Sequence, residues 1–170
     1  MRVGIGYDIH PFDPNRPLVL GGVRLDGAWG LRGHSDADVL LHAIGDACLG
    51  AAALGDLGDH FPDTDPAWRG APSAVLLARI LELVRARGLA PHHVDATIVA
   101  ERPKIAPHRA AIRARVAELM GLPLDRVSVK ASTNNGLGSL GRAEGVATLA
   151  VVLLEEGHGV GGAPAAPPLP

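Results

Sequence analysis

The first ten residues, MRVGIGYDIH, place a carboxylate and an imidazole where an apolar strand is expected. Side chains alternate between the two faces of a strand, so Asp8 and His10 point the same way. With His42, on a predicted helix, they form a set of two histidines and one carboxylate. This donor set, with a fourth position open, is typical of a catalytic zinc site. Polar residues at a strand end and on a helix surface are the alternative interpretation.

Two further polar stretches could belong to the same site. In GHSD, residues 33–36, the free N–H groups of a helix start would attract a phosphate, with His34 and Ser35 as additional donors. Ordinary helix capping is the alternative. FPDTDP, residues 61–66, is acidic and turn-forming, and Asx turns explain it without a function.

Two loops in the second half of the chain have nucleotide-binding character. In RPKIAPH, residues 102–108, Lys104 lies between two prolines on a rigid loop that leaves a strand. KASTNNGLGSLGRAEG, residues 130–145, combines glycines, hydroxyls, Lys130 and Arg142, which would suit a diphosphate. The lysine precedes the glycines, so this is not a Walker motif. A merely exposed lysine and a flexible hairpin that turns at Asn135-Gly136 are the alternatives.

Periodicity and turn residues define the elements that must position these groups. The pattern predicts strands over 2–10, 93–101, 126–132 and 144–156, a hairpin over 17–25, and helices over 73–87 and 109–120. A further helix should begin with Ser35 as its N-cap. Its polar side would carry Ser35, Asp38, His42 and Asp46, either solvated or functional. We expect residues 55–70 to form a loop.

This order of elements favours an α+β fold, with one mixed β-sheet, helices packed on one face and a β-hairpin near the N-terminus. The last strand is apolar at nearly every position, so it should be buried on both faces, and self-association is one way to cover the second face. We expect one domain over residues 1–156. The Gly-, Ala- and Pro-rich tail, 157–170, should be disordered.

Composition excludes several classes of protein. The chain has 170 residues, 47% of them hydrophobic but only 3% aromatic, and a formal net charge of −2. This charge argues against a nucleic-acid-binding protein. The single cysteine, Cys48, fits a reducing compartment, and neither a signal peptide nor a membrane-spanning run is indicated. We therefore expect a cytoplasmic protein.

In order and spacing, four segments resemble the 2-C-methyl-D-erythritol 2,4-cyclodiphosphate synthase family. They are GYDIHPF, GHSDADVLLHAIGDACLGAAALGDLGDHFPDTDP, RPKIAPH and KASTNNGLGSLGRAEG, within a similarity that runs from about Arg2 to Glu155. The resemblance implies a lyase of the non-mevalonate isoprenoid pathway. It would convert 4-diphosphocytidyl-2-C-methyl-D-erythritol 2-phosphate into the cyclic 2,4-diphosphate and release CMP. It also implies a homotrimer with active sites between subunits.

By the same resemblance, Asp8, His10 and His42 are the zinc ligands, and His34 and Thr133 stabilise the transition state. Substrate contacts fall on three groups of residues. Those implied for the methylerythritol side are Asp56, Gly58, Phe61, Asp63 and Asp65, those for the cytidine are Ala100, Lys104, Ile105 and Ala106, and those for the phosphates are Ser132, Thr133, Asn134, Asn135, Ser139 and Arg142. Asp8, His10, His34 and Ser35 are implied as further substrate contacts.

Asn135 departs from the family pattern, which has an acidic residue that binds a second divalent ion, Mg²⁺ or Mn²⁺. An amide carbonyl can ligate a hard cation but brings no charge. We therefore expect the substrate phosphates to hold most of that ion, unless Glu101 or Glu144 substitutes. A zinc phosphodiesterase or nucleotide hydrolase, with Asp46 or Asp56 as base, and a non-catalytic trimeric metabolite-binding protein are the alternatives.

Overall fold

The computed structural model describes residues 1–156, so the predicted disordered tail, 157–170, lies outside the described residues. The strands are β1 (Arg2–Leu20), β2 (Val23–Leu31), β3 (Leu89–Val99), β4 (Val127–Ser132) and β5 (Gly145–Glu156). The helices are α1 (Val39–Ala52), α2 (Leu57–His60), α3 (Ser73–Ala86), α4 (Arg109–Met120) and α5 (Gly138–Gly141).

The strands form one mixed five-stranded sheet in the order β2-β1-β5-β3-β4, in which only the β3–β4 pair is parallel. The predicted hairpin is confirmed, because Gly21 and Gly22 both have positive φ and join the paired residues Leu20 and Val23. The alternative interpretation of residues 130–145 as a hairpin loop is wrong. β3 lies between these two strands, and the connection carries α5.

The helices cover one face of the sheet. Along β5, Val146, Ala150 and Val152 are fully buried, whereas Leu149 and Val151 are 43% and 41% exposed. The predicted burial of β5 on both faces is therefore wrong for the single protomer. Val3, Ile5, Tyr7 and Ile9 of β1 are exposed beside them, and together with Leu149 and Val151 they form what we call the bare face.

Helix α1 lies directly on β1 at two glycines. A Cβ atom at Gly4 or Gly6 would collide with the backbone carbonyl of Ala47 or Ala43, respectively. This close approach brings the start of α1 next to the end of the part of β1 that pairs with β5, where Asp8 and His10 lie. The fold thereby brings the strand and helix contributions to the predicted metal site together.

The start of α1 differs from the prediction. Asp38, not Ser35, is the N-cap, and its side chain accepts hydrogen bonds from the N–H groups of Leu40 and Leu41. The same carboxylate accepts from Gly21 and Gly22 of the hairpin turn. These bonds explain why a fully buried aspartate begins the helix, and the helix does not extend back to Ser35 because Ala37 has φ 58°.

The stretch predicted as loop, 55–70, contains two short helical segments. Asp56 and Asp59 form a capping box around α2, and Asp65 caps a single 3-10 turn over Pro66–Trp68. Two of the four aspartates of this stretch are thus the caps of these segments. Among residues 1–156, no helix is long and apolar enough to cross a membrane.

Candidate metal centre and substrate cleft

The three predicted zinc ligands converge. Oδ2 of Asp8 lies 2.9 Å from Nε2 of His10 and 2.9 Å from Nδ1 of His42, and those two nitrogens are 3.3 Å apart. The edge of a tetrahedron around zinc with ligand distances of about 2.0–2.1 Å is about 3.3 Å long. The triangle of donor atoms therefore fits a tetrahedral ion with only small adjustments.

Hydrogen bonds on the far side of each ring fix which nitrogen faces the centre. Nδ1 of His10 donates to the carbonyl of Arg32 at 2.8 Å. Nε2 of His42 lies 2.9 Å from the hydroxyl of Ser73, which donates onward to Asp36. Both rings thus direct the other nitrogen at Asp8, as expected for ligands held by outer hydrogen bonds.

The electrostatics of the centre also favour a cation. Burial would raise the pKa of Asp8, but hydrogen bonds from His10 and His42 hold that pKa well below its usual range. Burial would lower the pKa of His42, but the hydrogen bond and negative charge of Asp8 raise it above 6.5. A cation bound at this centre would compete with the proton on His42.

A cleft of about 280 Å³ opens beside this centre. His34, Ser35, Gly58, Phe61 and Asp63, all predicted from the sequence, line it with His10 and His42. Nε2 of His34 donates to the carbonyl of Asp65 at 3.1 Å. Ser35 is buried, with its hydroxyl 3.0 Å from Nε2 of His42, so it supports the metal centre rather than capping α1.

Sequence reasoning missed part of the cleft. Leu57, Trp68 and Leu76 are apolar lining residues, and the ring of Trp68 packs edge-on against Phe61 at a centroid distance of 5.0 Å. Trp68 had a usable signal, because aromatic residues are rare in this chain and it follows an acidic turn. No comparable sequence feature marks Ser73, which contacts His42.

The polar side of α1 is engaged in hydrogen bonds and is at most partly exposed. Asp38 is the buried cap, His42 belongs to the metal centre, and Asp46 accepts a hydrogen bond of 2.8 Å from the N–H of Leu57. Burial raises the pKa of Asp46, although that hydrogen bond opposes the shift. Asp46 therefore anchors α2, the helix that forms one wall of the cleft.

The remaining predicted residues lie in two adjoining loops after β3 and β4. The N–H of Ala100 donates to the carbonyl of Ser132 at 2.9 Å, which joins these loops. Ala100 and Ile105 are buried, whereas Lys104, Ala106, Asn135 and the other residues of this set are partly or fully exposed. The members of this set are Ala100, Lys104, Ile105, Ala106, Ser132, Thr133, Asn134 and Asn135.

Several groups in these loops already have partners. The N–H groups of Asn134 and Gly136 donate to Oε1 of Glu101 at 3.0 and 3.1 Å, so these two donors are not free for a diphosphate. Lys130 pairs with Asp95 at 2.6 Å. Arg142 pairs with Glu144 at 2.6 Å, and Ser139 lines a separate cleft of about 260 Å³ that also reaches His10.

The structure thus divides the predicted site. We call Asp8, His10, His42 and the adjoining cleft the metal half, and residues 100–106 with 132–135 the loop half. In the sheet, Asp8 pairs with Thr148, Thr148 with Ile98, and Ile98 with Ala131. Three strand spacings of about 4.8 Å therefore separate the two halves by roughly 14 Å within one protomer.

Comparison with known proteins identifies the family. A model of the YgbB family matches residues 1–155. The chain belongs to this family. It is 59% identical over 156 residues to the curated 2-C-methyl-D-erythritol 2,4-cyclodiphosphate synthase of Gloeobacter violaceus, covering 92% of this chain and 96% of that protein.

Solved structures agree with the assignment to the YgbB family. A 2C-methyl-D-erythritol-2,4-cyclodiphosphate synthase in its CDP-bound form is 42% identical, with a TM-score of 0.84, covering 91% of this chain and all of that one. The bifunctional IspDF from Campylobacter jejuni has a TM-score of 0.86 at 42% identity, but this chain spans only 42% of its length. The predicted family, its lyase activity in isoprenoid biosynthesis and the mixed α+β fold are confirmed.

Proposed function

We propose that this chain cyclises 4-diphosphocytidyl-2-C-methyl-D-erythritol 2-phosphate at the junction of the metal half and the loop half. An oxygen of the substrate's own 2-phosphate attacks the β-phosphorus, the bond from that phosphorus to the bridging oxygen breaks, and CMP leaves with the electron pair. No protein nucleophile is needed. The observation that carries the proposal is the Asp8–His10–His42 triangle, which opens onto a cleft of about 280 Å³.

Asp8, His10 and His42 would hold zinc. The ion would supply Lewis-acid polarisation of a phosphate oxygen. Since the reaction is intramolecular, the side chains of the chain mainly orient the substrate, which can lower the barrier by about 7 kcal/mol or more. The apolar walls formed by Leu57, Phe61 and Leu76 would limit the access of water to the β-phosphate.

The substrate contacts divide between the halves. His34 and Thr133 would stabilise the charge that develops at the reacting phosphates. The metal half would hold the methylerythritol side through Ser35, Asp56, Gly58, Phe61, Asp63 and Asp65. The loop half would hold the cytidine and phosphates through Ala100, Lys104, Ile105, Ala106, Ser132, Asn134 and Asn135, with Ser139 and Arg142 as further phosphate contacts outside it.

A second divalent ion, Mg²⁺ or Mn²⁺, would bind mainly through the substrate phosphates near Asn135. The two carboxylates that could replace the missing acidic ligand have other partners. Glu101 accepts two backbone N–H groups, and Glu144 pairs with Arg142. These contacts favour weak binding of the second ion by the protein itself.

The assembly we propose is a homotrimer with active sites between subunits. Two observations support it: the metal and loop halves lie roughly 14 Å apart within one protomer, and the bare face leaves a row of large apolar residues exposed. We further propose that residues 1–156 form the catalytic domain. The single, buried thiol Cys48 is consistent with a location in the cytoplasm.

Phosphorus NMR of the purified zinc-loaded protein with its substrate tests the reaction. Cyclic diphosphate that appears one for one with CMP is the expected result. A linear diphosphate would indicate the hydrolase, and tight substrate binding without product at any concentration of Mg²⁺ or Mn²⁺ would indicate a metabolite-binding protein. A titration with Mg²⁺ in the same experiment measures the requirement for the second ion.

Subunit complementation tests the shared site. His42→Ala and Thr133→Ala should each be inactive alone, because one lacks the metal half and the other the loop half. When both variants are unfolded and refolded together, each site has an even chance of receiving an intact copy of each half, which restores about a quarter of wild-type activity. Activity that stays at the level of the separate variants would place both halves of each site in one chain.

A further inference from the structure

The segment between β2 and α1 is fixed through its backbone oxygens. We call Arg32–Ser35 the His34 segment. The carbonyl of Arg32 accepts from Nδ1 of the metal ligand His10 at 2.8 Å, and the carbonyl of His34 accepts from the N–H of Gly70 at 2.8 Å. The other two carbonyls of the segment, at Gly33 and Ser35, accept from a single side chain, that of Arg16.

The guanidinium group of Arg16 spans the residue that faces the substrate cleft. Its Nη1 donates to the carbonyl of Gly33 at 2.7 Å, and its Nη2 donates to that of Ser35. These carbonyls belong to the residues immediately before and after His34. The planar fork of an arginine is suited to holding two acceptors at a fixed separation. Arg16 therefore constrains the peptide units on both sides of the His34 side chain.

The local sequence places Arg16 beside the His34 segment. The β1–β2 pairing is irregular between Asp13 and Pro17, and the N–H of Asn15 donates to the carboxylate of Asp13 at 2.9 Å in a local turn. A Cβ atom at Gly30 would collide with the carbonyl oxygens of Arg16 and Pro17. The strand irregularity and the glycine together let the backbone at Arg16 lie close against β2, from where its side chain reaches the His34 segment.

We propose that Arg16 is the positioning residue for His34 in the cyclisation reaction. This inference rests on the proposed function, which makes His34 a group that contacts the reacting phosphates. Arg16 acts through the backbone and does not itself contact the substrate. Its loss leaves the metal ligands in place but lets the His34 ring leave the position in which Nε2 meets the carbonyl of Asp65.

The test combines kinetics and NMR on the full-length zinc protein. Arg16→Met keeps much of the side-chain volume but removes both donors, and Arg16→Lys restores a charge without the planar fork. Arg24→Met is the matched control, because Arg24 lies on the neighbouring strand β2 and only pairs with the exposed Asp26. Each variant is also combined with His34→Ala. Zinc content and melting temperature are measured for all of them.

We expect Arg16→Met to lower kcat by about 10-fold or more, since small misplacements of catalytic groups have effects of this order, while KM changes by less than about 3-fold. Arg16→Lys should be intermediate and Arg24→Met unchanged. With His34→Ala present, Arg16→Met should lower kcat less than about 2-fold further, because residues that act through one another are not additive. The Cε1–H resonance of His34 should shift or broaden in Arg16→Met, while that of His60 stays in place.

Two results would overturn the inference. One is a loss of kcat in Arg16→Met that is undiminished when His34→Ala is present, which would mean a general structural role. The other is an unchanged His34 resonance in Arg16→Met. The proposed function fails separately, if His34→Ala turns over at the wild-type rate. In that case the His34 resonance alone decides whether Arg16 positions the ring.

Discussion

The metal half is partly buried and held by hydrogen bonds inside one protomer, whereas the loop half is largely exposed and its polar groups bond mainly to each other. The side chains of Asp8, His10 and His42 are only 22%, 19% and 14% exposed and have outer partners. In the loop half, Thr133 and Asn135 contact one another at 3.4 Å. The metal half is therefore preorganised by the fold, whereas under the proposed assembly the loop half would be completed by a neighbouring copy and by substrate.

Removal of the metal half by His42→Ala should have the largest effect. Two ligands remain, so zinc should be lost on dialysis and kcat should fall by at least about 100-fold, the order expected when a main electrostatic contribution to the transition state is removed. Metal analysis and the phosphorus NMR assay measure both effects. Full activity without bound zinc would show that the triangle is not the reactive centre.

Separation of the two halves should have almost as large an effect. Leu149→Asp places a charge on the bare face and should give monomers in sedimentation velocity, with activity lowered by about 100-fold or to background, because buried unpaired charges are strongly unfavourable. Val75→Asp is the matched control, since Val75 is 46% exposed on α3, on the other side of the molecule's sheet. A trimer that persists in Leu149→Asp would contradict the proposed interface.

Acidification should act on the metal half before the loop half. His42 has a raised pKa in the ion-free protein, so as pH falls through that pKa a proton competes with zinc, and the apparent affinity should drop by roughly 10-fold per pH unit per proton displaced. Zinc titrations by calorimetry in buffers of different ionisation enthalpy measure the proton released. Binding without proton release at neutral pH would contradict the raised pKa.

Asn135→Asp should strengthen binding of the second divalent ion at the loop half, with a smaller effect on activity than the changes above. Asn135 has φ 51°, a conformation that asparagine and aspartate both tolerate, so the exchange should leave the backbone unchanged and add one negative charge. We expect the Mg²⁺ concentration for half-maximal activity to fall by about 10-fold, because carboxylates are preferred ligands of hard cations. An unchanged Mg²⁺ requirement would show that residue 135 does not reach the second ion.

The rigidity of α1, which carries the metal ligand His42, should also keep the thiol of Cys48 from reacting in the native protein. Cys48 lies on α1 and burial raises its thiol pKa to about 12. The native protein should therefore react with a thiol reagent only at the rate of opening, and with one equivalent after unfolding. Rapid modification of the native state would mean that α1 separates from the sheet more readily than its packing indicates.

The sequence predicted most of the fold because its signals are local. The turn at Gly21-Gly22, the helices that became α3 and α4, and the strand alternation at Asp8 and His10 depend on neighbouring residues. The cap at Asp38 was missed because its buried carboxylate is stabilised by the distant hairpin turn, a contact that no local pattern encodes. The apolar pattern of β5 predicted burial on both faces but not what covers the second face, because an apolar strand looks the same whether a helix or another subunit covers it.

The candidate site divides in the same way. Ligand types and spacing on β1 and α1 predicted the metal triangle. The outer partners could not be predicted, since Ser73 and the carbonyl of Arg32 approach the histidines only through tertiary packing. The two hydrogen bonds that Glu101 accepts from backbone N–H groups could not be predicted either, because they depend on the side-by-side placement of the β3 and β4 loops.

The two glycines under α1 have a consequence for the choice of ion. Asp8 follows Gly6 by two residues, and His42 directly precedes Ala43, whose carbonyl a Cβ at Gly6 would meet. A methyl group there would lift the helix from the strand and lengthen the 2.9 Å edge between the carboxylate and the imidazole. A wider triangle would accommodate a larger ion, so Gly6, which lies outside the donor set, helps to fix the spacing of the donor atoms and thereby the size of ion that would fit.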